Sequence, residues 1–260
     1  MTLGMIEPAF HVLPDGRRLA HRFTPGVSGD RGPVLVFLPG YMSDMAGSKA
    51  TLLFEEARAR SEPALLLDYS GCGLSSGAFA DGTLSRWRNE VVALTQAVCP
   101  DRPLLLVGSS MGGWLMLLVA LAIPRRVAGL VGVAAAPDFT DWGFDEAQKA
   151  LLATGEVLYE DSPYGPEPTP PHPALWREGQ TLRLLGGEIA LDCPVRLLHG
   201  QADPDVPWAI SLRLAEALRS ADVQLTLVKD GDHRLSREAD LALLVRTVAA
   251  LRAQLICQES

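Results

Sequence analysis

The chain has 260 residues, of which 48% are hydrophobic and 21% charged, a composition typical of one globular domain with a sizeable core. Its net charge of −8 argues against nucleic acid as a partner, because an acidic surface repels the phosphate backbone. No apolar run reaches the roughly 18 residues of a membrane helix, and the opening residues have no basic start followed by an apolar run. We therefore expect a cytoplasmic protein without stable membrane insertion.

The four cysteines form no C-x-x-C pair and have no histidine at metal-ligand spacing. This pattern favours reduced thiols over a disulfide framework or a zinc site, so we expect neither a metal nor another cofactor. Cys72 lies between two glycines and is an alternative nucleophile, but no neighbouring residue is expected to lower the pKa of its thiol. The other cysteines are Cys99, Cys193 and Cys257.

The predicted elements begin with two short strands joined at Pro14-Asp15-Gly16, which indicates an N-terminal hairpin. Short apolar runs then alternate with longer segments in which apolar residues recur every three or four positions. This alternation predicts a mostly parallel eight-stranded sheet with helices on both faces. The predicted strands are 9–13, 18–23, 33–38, 64–67, 104–107, 127–133, 195–198 and 223–228, and the helices are 49–60, 84–98, 111–123, 208–219 and 236–254.

One interval, residues 138–191, interrupts this alternation. It contains two candidate short helices, 145–152 and 175–185, on either side of a proline-rich stretch at 161–173. A segment this long without a strand is typical of a lid or an insertion. The sequence therefore predicts a small helical lid on a core formed by residues 1–137 and 192–260.

A Gly-x-Ser-x-Gly pattern, Gly108-Ser109-Ser110-Met111-Gly112, lies between a buried strand and an apolar helix. This context is typical of a nucleophile on a sharp strand-to-helix turn, where the glycines prevent collisions with the neighbouring backbone. We interpret Ser110 as the nucleophile, because the alternative Ser109 lacks paired glycines at two-residue distance. The amide of Met111, at the start of the helix, is a candidate donor to an oxyanion.

A serine nucleophile needs a base and an acid that orients the base, in the chain order Ser, Asp, His for this arrangement. Asp203 follows the strand at 195–198, and His233 follows the strand at 223–228, so both are expected at the sheet edge where Ser110 lies. Asp205 competes with Asp203 for the acid role. The remaining histidines lack the expected order or position, and they are His11, His21, His172 and His199.

The loop after the third strand is expected to supply the second oxyanion donor. Gly40 lets this loop turn closely, and the amide of Tyr41 is the candidate donor. Four aromatic residues on the first helix after the serine and in the lid interval are candidates for an apolar substrate pocket. They are Trp114, Phe139, Trp142 and Trp176.

Several of these stretches together resemble the α/β-hydrolase superfamily and, within it, the family of the tenth abhydrolase-domain protein. They are Leu38 to Ser43, Gly47 to Ala50, Asp68 to Gly71, Gly108 to Met116, Leu197 to Gly200, Val206 to Trp208 and Asp232 to Arg234. The resemblance implies an α/β-hydrolase fold with Ser110, Asp203 and His233 as the catalytic triad. It also implies hydrolysis of an acyl ester or thioester, since the mammalian representative is a mitochondrial acyl-protein thioesterase that also hydrolyses acyl glucuronides.

Other functions stay open at this point, because one fold supports many activities. A serine peptidase or a hydrolase of carbon–carbon bonds would use the same three residues. A non-catalytic binding protein on the same scaffold is a further alternative. The acyl chain, the leaving group and the oligomeric state are not fixed by the sequence.

Overall fold

The computed structural model describes residues 6–27, 32–159 and 170–258. The opening five residues and residues 160–169, which include most of the proline-rich stretch, lie outside the described residues. The strands are β1 Ala9–Val12, β2 Arg18–Pro25, β3 Val34–Leu38, β4 Pro63–Leu67, β5 Leu104–Ser109, β6 Val127–Val133, β7 Val195–Gly200 and β8 Val223–Val228. The helices are α1 Ser48–Ala59, α2 Leu84–Val98, α3 Met111–Ala122, α4 Phe139–Trp142, α5 Glu146–Thr154, α6 Pro173–Thr181, α7 Ala209–Ala217 and α8 Glu238–Gln258.

The eight strands form one sheet in the order β1-β2-β4-β3-β5-β6-β7-β8. Strand β2 pairs antiparallel with β1 and with β4, and every other pairing is parallel. The predicted mostly parallel sheet with a hairpin at one edge is therefore confirmed. The carboxyl ends of β3, β5, β7 and β8 meet at one edge of such a sheet, where ligands bind in open α/β folds.

The core lies on both faces of the sheet, because the side chains of each strand alternate between them. In β3, Val34, Val36 and Leu38 pack on the face covered by α2 and α3, whereas Leu35 and Phe37 pack on the face covered by α1 and α8. All five residues are buried, which explains why the strand is a continuous apolar run. Among the described helices, none combines the length and the apolar content that crossing a bilayer requires.

The described residues between β6 and β7 hold three helices where the sequence predicted two. The short helix α4 was not predicted, and the prediction of a helix at 175–185 was wrong in its extent, because α6 spans Pro173–Thr181. Asp138 explains the early end of α6. Its buried carboxylate accepts the backbone N–H groups of Leu184 and Leu185, each at 2.8 Å, and the helix ends before these residues.

Candidate active site

Ser110 lies at a sharp turn between β5 and α3, with φ 55° and ψ −123°. A positive φ is costly for a residue with a side chain, so the surrounding backbone must hold it there. The Ser110 N–H donates to the carbonyl of Val133 at 2.9 Å, and its carbonyl accepts the N–H of Ala136 at 3.0 Å. Ser110 is thereby fixed by the strand next to its own.

The two glycines of the motif are required by close backbone contacts. A Cβ atom added to Gly108 would overlap the Gly112 carbonyl, and one added to Gly112 would overlap the carbonyl oxygens of Leu38 and Pro39. The start of α3 therefore packs directly on the end of β3. This contact brings the loop that follows β3 next to Ser110.

In the predicted triad, His233 lies within hydrogen-bonding distance of both other residues. His233 Nε2 is 3.0 Å from Ser110 Oγ, and His233 Nδ1 is 2.8 Å from Asp203 Oδ2. These residues are 123 and 30 positions apart along the chain, so the fold alone brings them together. With the proton on Nδ1 donated to Asp203, the Nε2 lone pair of a neutral imidazole faces the serine hydroxyl.

Two glycines allow the loops of Asp203 and His233 to approach each other. Gly200, at the end of β7, lies against Gly231, in the loop after β8, so closely that an added Cβ would overlap the Gly231 carbonyl. The N–H of Ala202 donates to the same carbonyl at 2.9 Å. The two loops are thus joined through their backbones before either side chain makes a contact.

Asp203 is held as an anion by several donors. Its Oδ1 accepts the N–H groups of Asp205 and Val206, each at 2.9 Å, and its Oδ2 lies beside His233 and His199. Burial by itself raises the pKa of a carboxyl group, but the hydrogen bonds from His199 and His233 outweigh it and hold the pKa of Asp203 below its usual value. Asp203 is therefore ionised at neutral pH.

The alternatives named from the sequence occupy other places. Asp205 is exposed and donates its backbone N–H to Asp203, whereas His233 Nδ1 hydrogen-bonds to the carboxylate of Asp203. Ser109 is the buried last residue of β5. Burial raises the pKa of the Cys72 thiol to about 12, so this cysteine is not a thiolate at neutral pH.

The loop after β3 is tied down next to Ser110. A Cβ added to Gly40 would lie 3.3 Å from the Ser110 Cβ. The Tyr69 hydroxyl donates to the carbonyl of Pro39 at 3.1 Å, and the buried carboxylate of Asp68 accepts the Met45 N–H at 2.7 Å. This loop carries Tyr41, while the Met111 amide begins α3 and thus has no acceptor within the helix.

A cavity of about 630 Å³ opens over Ser110 and His233. Its described lining includes three of the four aromatic residues predicted for it, Phe139, Trp142 and Trp176. The indole N–H groups of Trp142 and Trp176 donate to the carbonyls of Pro137 and Thr140, which leaves the rings as apolar wall. Trp114, on α3, is not part of this wall. Its side chain is completely buried, and its ring packs edge-on against Phe139.

Lys49, at the start of α1, reaches the loop that carries His233. Its Nζ donates to the carbonyl of Arg234 at 2.5 Å, and both residues line the cavity. Burial and the neighbouring charge of Arg234 lower the pKa of the Lys49 ammonium. The contact holds Arg234, the residue that follows His233, against α1.

Among the described residues, Asp203, Asp205 and His233 place potential metal-ligand atoms within 4.8 Å of one another. Oδ1 of Asp203 already accepts two backbone N–H groups, Oδ2 lies beside the nitrogens of two histidines, and Nδ1 of His233 is used by Asp203. The arrangement thus fits a hydrogen-bonded carboxylate better than a metal ligand, and the expectation of no metal stays a prediction.

One neighbour of this site was not predicted. His199 was considered only as a competitor of His233, yet its ring lies beside Asp203 with Nε2 3.2 Å from Oδ2. The signal available in the sequence is the four-residue spacing of His199 and Asp203 at the end of a strand. That spacing does not indicate which way the ring points.

Comparison with known proteins identifies relatives that are all named as hydrolases or thioesterases. A model of the alpha/beta hydrolase family matches residues 35–247, a range that contains Ser110, Asp203 and His233. The human mitochondrial palmitoyl-protein thioesterase ABHD10 is 38% identical over 239 residues, which are 90% of this chain and 76% of the human protein. The crystal structure of a putative hydrolase from Agrobacterium vitis S4 has a TM-score of 0.87 at 39% identity, covering 95% of this chain and 99% of that one. The structure of the mouse alpha/beta hydrolase domain-containing protein 10 has a TM-score of 0.86 at 36% identity, covering 96% and 99%.

Proposed function

Because the chain belongs to the alpha/beta hydrolase family, we propose that it is a serine hydrolase that cleaves acyl esters or acyl thioesters through an acyl-enzyme on Ser110. The observation that carries the proposal is the hydrogen-bonded line from Ser110 Oγ through His233 to Asp203, with distances of 3.0 and 2.8 Å. This line lies at the cavity that would receive the substrate.

The first half of the reaction forms the acyl-enzyme. Ser110 Oγ attacks the carbonyl carbon of the substrate while His233 Nε2 accepts the hydroxyl proton, and Asp203 stabilises the imidazolium that results. The negative charge that develops on the substrate oxygen is received by the amides of Tyr41 and Met111. His233 then returns the proton to the leaving alcohol or thiol as the bond to the acyl carbon breaks.

The second half regenerates the free enzyme. Water occupies the position of the leaving group, His233 Nε2 removes one of its protons, and the hydroxide attacks the acyl carbon. The same two amides receive the oxyanion. Collapse of this intermediate releases the carboxylic acid and returns the proton from His233 to Ser110 Oγ.

An apolar acyl chain is the substrate portion that the cavity wall favours. Phe139, Trp142, Phe144, Leu175 and Trp176 line the cavity and offer no charge to a polar group. The names of the human and mouse relatives, palmitoyl-protein thioesterase, support a thioester with such a chain. All five residues belong to the interval 138–191, which we assign as the lid over the site.

A chain-length series tests the substrate class. Purified protein is assayed with p-nitrophenyl esters and acyl thioesters from two to sixteen acyl carbons, with Ser110→Ala as the blank. We expect turnover of esters and thioesters and a fall in KM as the acyl chain lengthens, since more apolar surface is buried. Turnover of peptides or of carbon–carbon bonds, with none of the esters or thioesters cleaved, would overturn the proposal.

A further inference from the structure

His199 is a buried polar residue with a contact at each ring nitrogen. It lies near the end of β7 and is fully buried. Its Nδ1 is 2.6 Å from the hydroxyl of Ser211, and its Nε2 is 3.0 Å from the carbonyl of Val206 and 3.2 Å from Asp203 Oδ2. A buried imidazole with every polar atom satisfied has one defined orientation.

The partners of the ring fix the place of its proton. A carbonyl and a carboxylate only accept hydrogen bonds, so the Nε2 of His199 carries the hydrogen. The Nδ1 of a neutral ring is then an acceptor, and the hydroxyl of Ser211, on α7, is the donor that meets it. The two acceptors at Nε2 thus select the tautomer in which His199 donates toward Val206 and Asp203, and the Ser211 hydroxyl complements it by donating to Nδ1.

The oxygen that His199 contacts is the one that binds the base. Asp203 Oδ2 lies 2.8 Å from His233 Nδ1 and 3.2 Å from His199 Nε2. Oδ1 is occupied by two backbone N–H groups at 2.9 Å. Two histidines therefore meet at one carboxylate oxygen, and only one of them, His233, also reaches Ser110.

From this geometry we infer that His199 and Ser211 are positioning residues for the reaction: together they orient Asp203 and moderate its hold on His233. The inference rests on the proposed function, since it assigns a task within the same triad. The line of contacts then runs Ser211, His199, Asp203, His233, Ser110. Neither Ser211 nor His199 touches the reacting atoms, so both act through Asp203.

Loss of the His199 donor has a directional effect. The Asp203 carboxylate would lose the N–H that lies 3.2 Å from Oδ2 and is shared with the Val206 carbonyl, which leaves it a stronger acceptor for the protonated form of His233. We expect the acid limb of the pH profile of kcat/KM to move to higher pH. A less firmly oriented Asp203 also lowers kcat, while KM changes little because no substrate contact is lost.

The test uses three substitutions in the full chain, with p-nitrophenyl butyrate as substrate. His199→Leu removes all three polar contacts of the ring, Ser211→Ala removes only the donor to Nδ1, and His199→Gln retains a side-chain N–H donor at position 199. We expect kcat to fall about 10- to 100-fold in His199→Leu, by analogy with the loss seen when a residue that orients a metal ligand is mutated. Ser211→Ala should fall less, and His199→Gln should recover part of the loss.

Leu214→Ala is the matched control. Leu214 is fully buried on the same helix as Ser211, one turn away, so its truncation loosens α7 without changing a polar contact. The charged residues that line the cavity with His233 are unchanged in every variant; they are Asp44, Lys49, Asp205 and Arg234. The control should lose stability and keep the acid limb of the wild type.

The outcomes separate this inference from the proposed function. Wild-type protein without esterase activity would contradict the proposed function itself. With an active wild type, an unchanged acid limb in both His199→Leu and Ser211→Ala would overturn the inference alone. If His199→Leu does not fold, as judged by circular dichroism, the other two variants decide the question. Ser211→Ala leaves the imidazole intact, and His199→Gln keeps a polar side chain at position 199.

Discussion

The strained backbone conformation of Ser110 depends on two neighbouring glycines. Its φ of 55° places the residue in a region that costs free energy, and the turn persists because Gly108 and Gly112 let three backbone segments come into contact. The cost is thus offset by packing elsewhere in the fold. A methyl group at either glycine would push apart the segments that hold the serine.

A substitution at Gly112 measures how tightly these segments are packed. Gly112→Ala places a Cβ against the carbonyl oxygens of Leu38 and Pro39, which belong to backbone and cannot rotate away. We expect a loss of about 1–3 kcal/mol in the free energy of unfolding, the usual cost of overpacking. Thermal unfolding measures it, with Gly187→Ala as the control because an added Cβ there meets nothing within 4 Å. Equal melting temperatures for the two variants would refute the packing argument.

The electrostatics of Asp203 predict the shape of the pH profile. Its pKa is held below the usual value, so the carboxylate keeps its charge as the pH falls to 4.5. Asp203 therefore binds no proton in this range, and log kcat/KM should decline with a slope no steeper than about one between pH 7 and 4.5. Initial rates on a p-nitrophenyl ester give this slope. A slope approaching two would mean that Asp203 is also titrating.

The convergence of Ser110, Asp203 and His233 was predictable because each residue follows a predicted strand, in the chain order expected for this fold. A glycine-flanked serine after a buried strand, followed by Asp203 and His233 after later strands, leaves few arrangements in a parallel sheet. The role of His199 could not be predicted, since its partner Ser211 comes from the following helix and is met only in the folded chain. Trp114 was misplaced for a related reason: α3 is apolar on all sides, so its sequence does not tell which face meets the cavity.

At the scale of elements, long periodic segments were predicted well and the short helices between β6 and β7 less so. The strand β6, Val127–Val133, has the predicted bounds: Arg125 and Arg126 precede it, and the positive φ of Ala134, 44°, ends the extended backbone. The end of α6 at Thr181 depends on the Asp138 side chain, more than forty residues earlier, which binds the amides of Leu184 and Leu185. No local sequence pattern predicts such a long-range contact.

Tyr41 links the loop after β3 to the segment between β6 and β7, the proposed lid. Its hydroxyl donates to the carbonyl of Pro170 at 2.7 Å, and its ring meets Phe139 edge-on with centroids 6.2 Å apart. The same ring contacts Phe79 at 4.9 Å. One side chain thus joins the segment proposed to hold the oxyanion donor to the segment proposed to cover the acyl chain.

The variant Tyr41→Phe tests this link, because it removes the hydroxyl and keeps both the ring and the backbone amide. Losing one hydrogen bond of about 0.5–1.5 kcal/mol should raise KM for long-chain esters roughly 2- to 13-fold. Hydrolysis of acetyl esters, which do not reach the lid, should stay near the wild-type rate. Tyr159→Phe is the control, since Tyr159 is 73% exposed in the same interval. A proportional loss on short and long chains would place the effect at the reacting carbonyl instead.

At the scale of the whole molecule, one sheet edge collects loops that are far apart in the sequence. The loops after β3, β5, β7 and β8 supply the candidate oxyanion donor, the serine, the acid and the base, in that order along the chain. This organisation follows from parallel strands, whose carboxyl ends share an edge. The expected cytoplasmic location and the absence of a nucleic-acid partner have no such structural counterpart and stay predictions.

The most direct measurement for the central claim is covalent labelling by a fluorophosphonate, read by intact mass and peptide mapping. A serine activated by His233 and Asp203 should take up one probe molecule, and the modified peptide should carry it on Ser110. Ser110→Ala should remain unlabelled, and Ser109→Ala should label like the wild type. An unlabelled wild type, or equal labelling of Ser110→Ala, would contradict the assignment of Ser110 as the nucleophile.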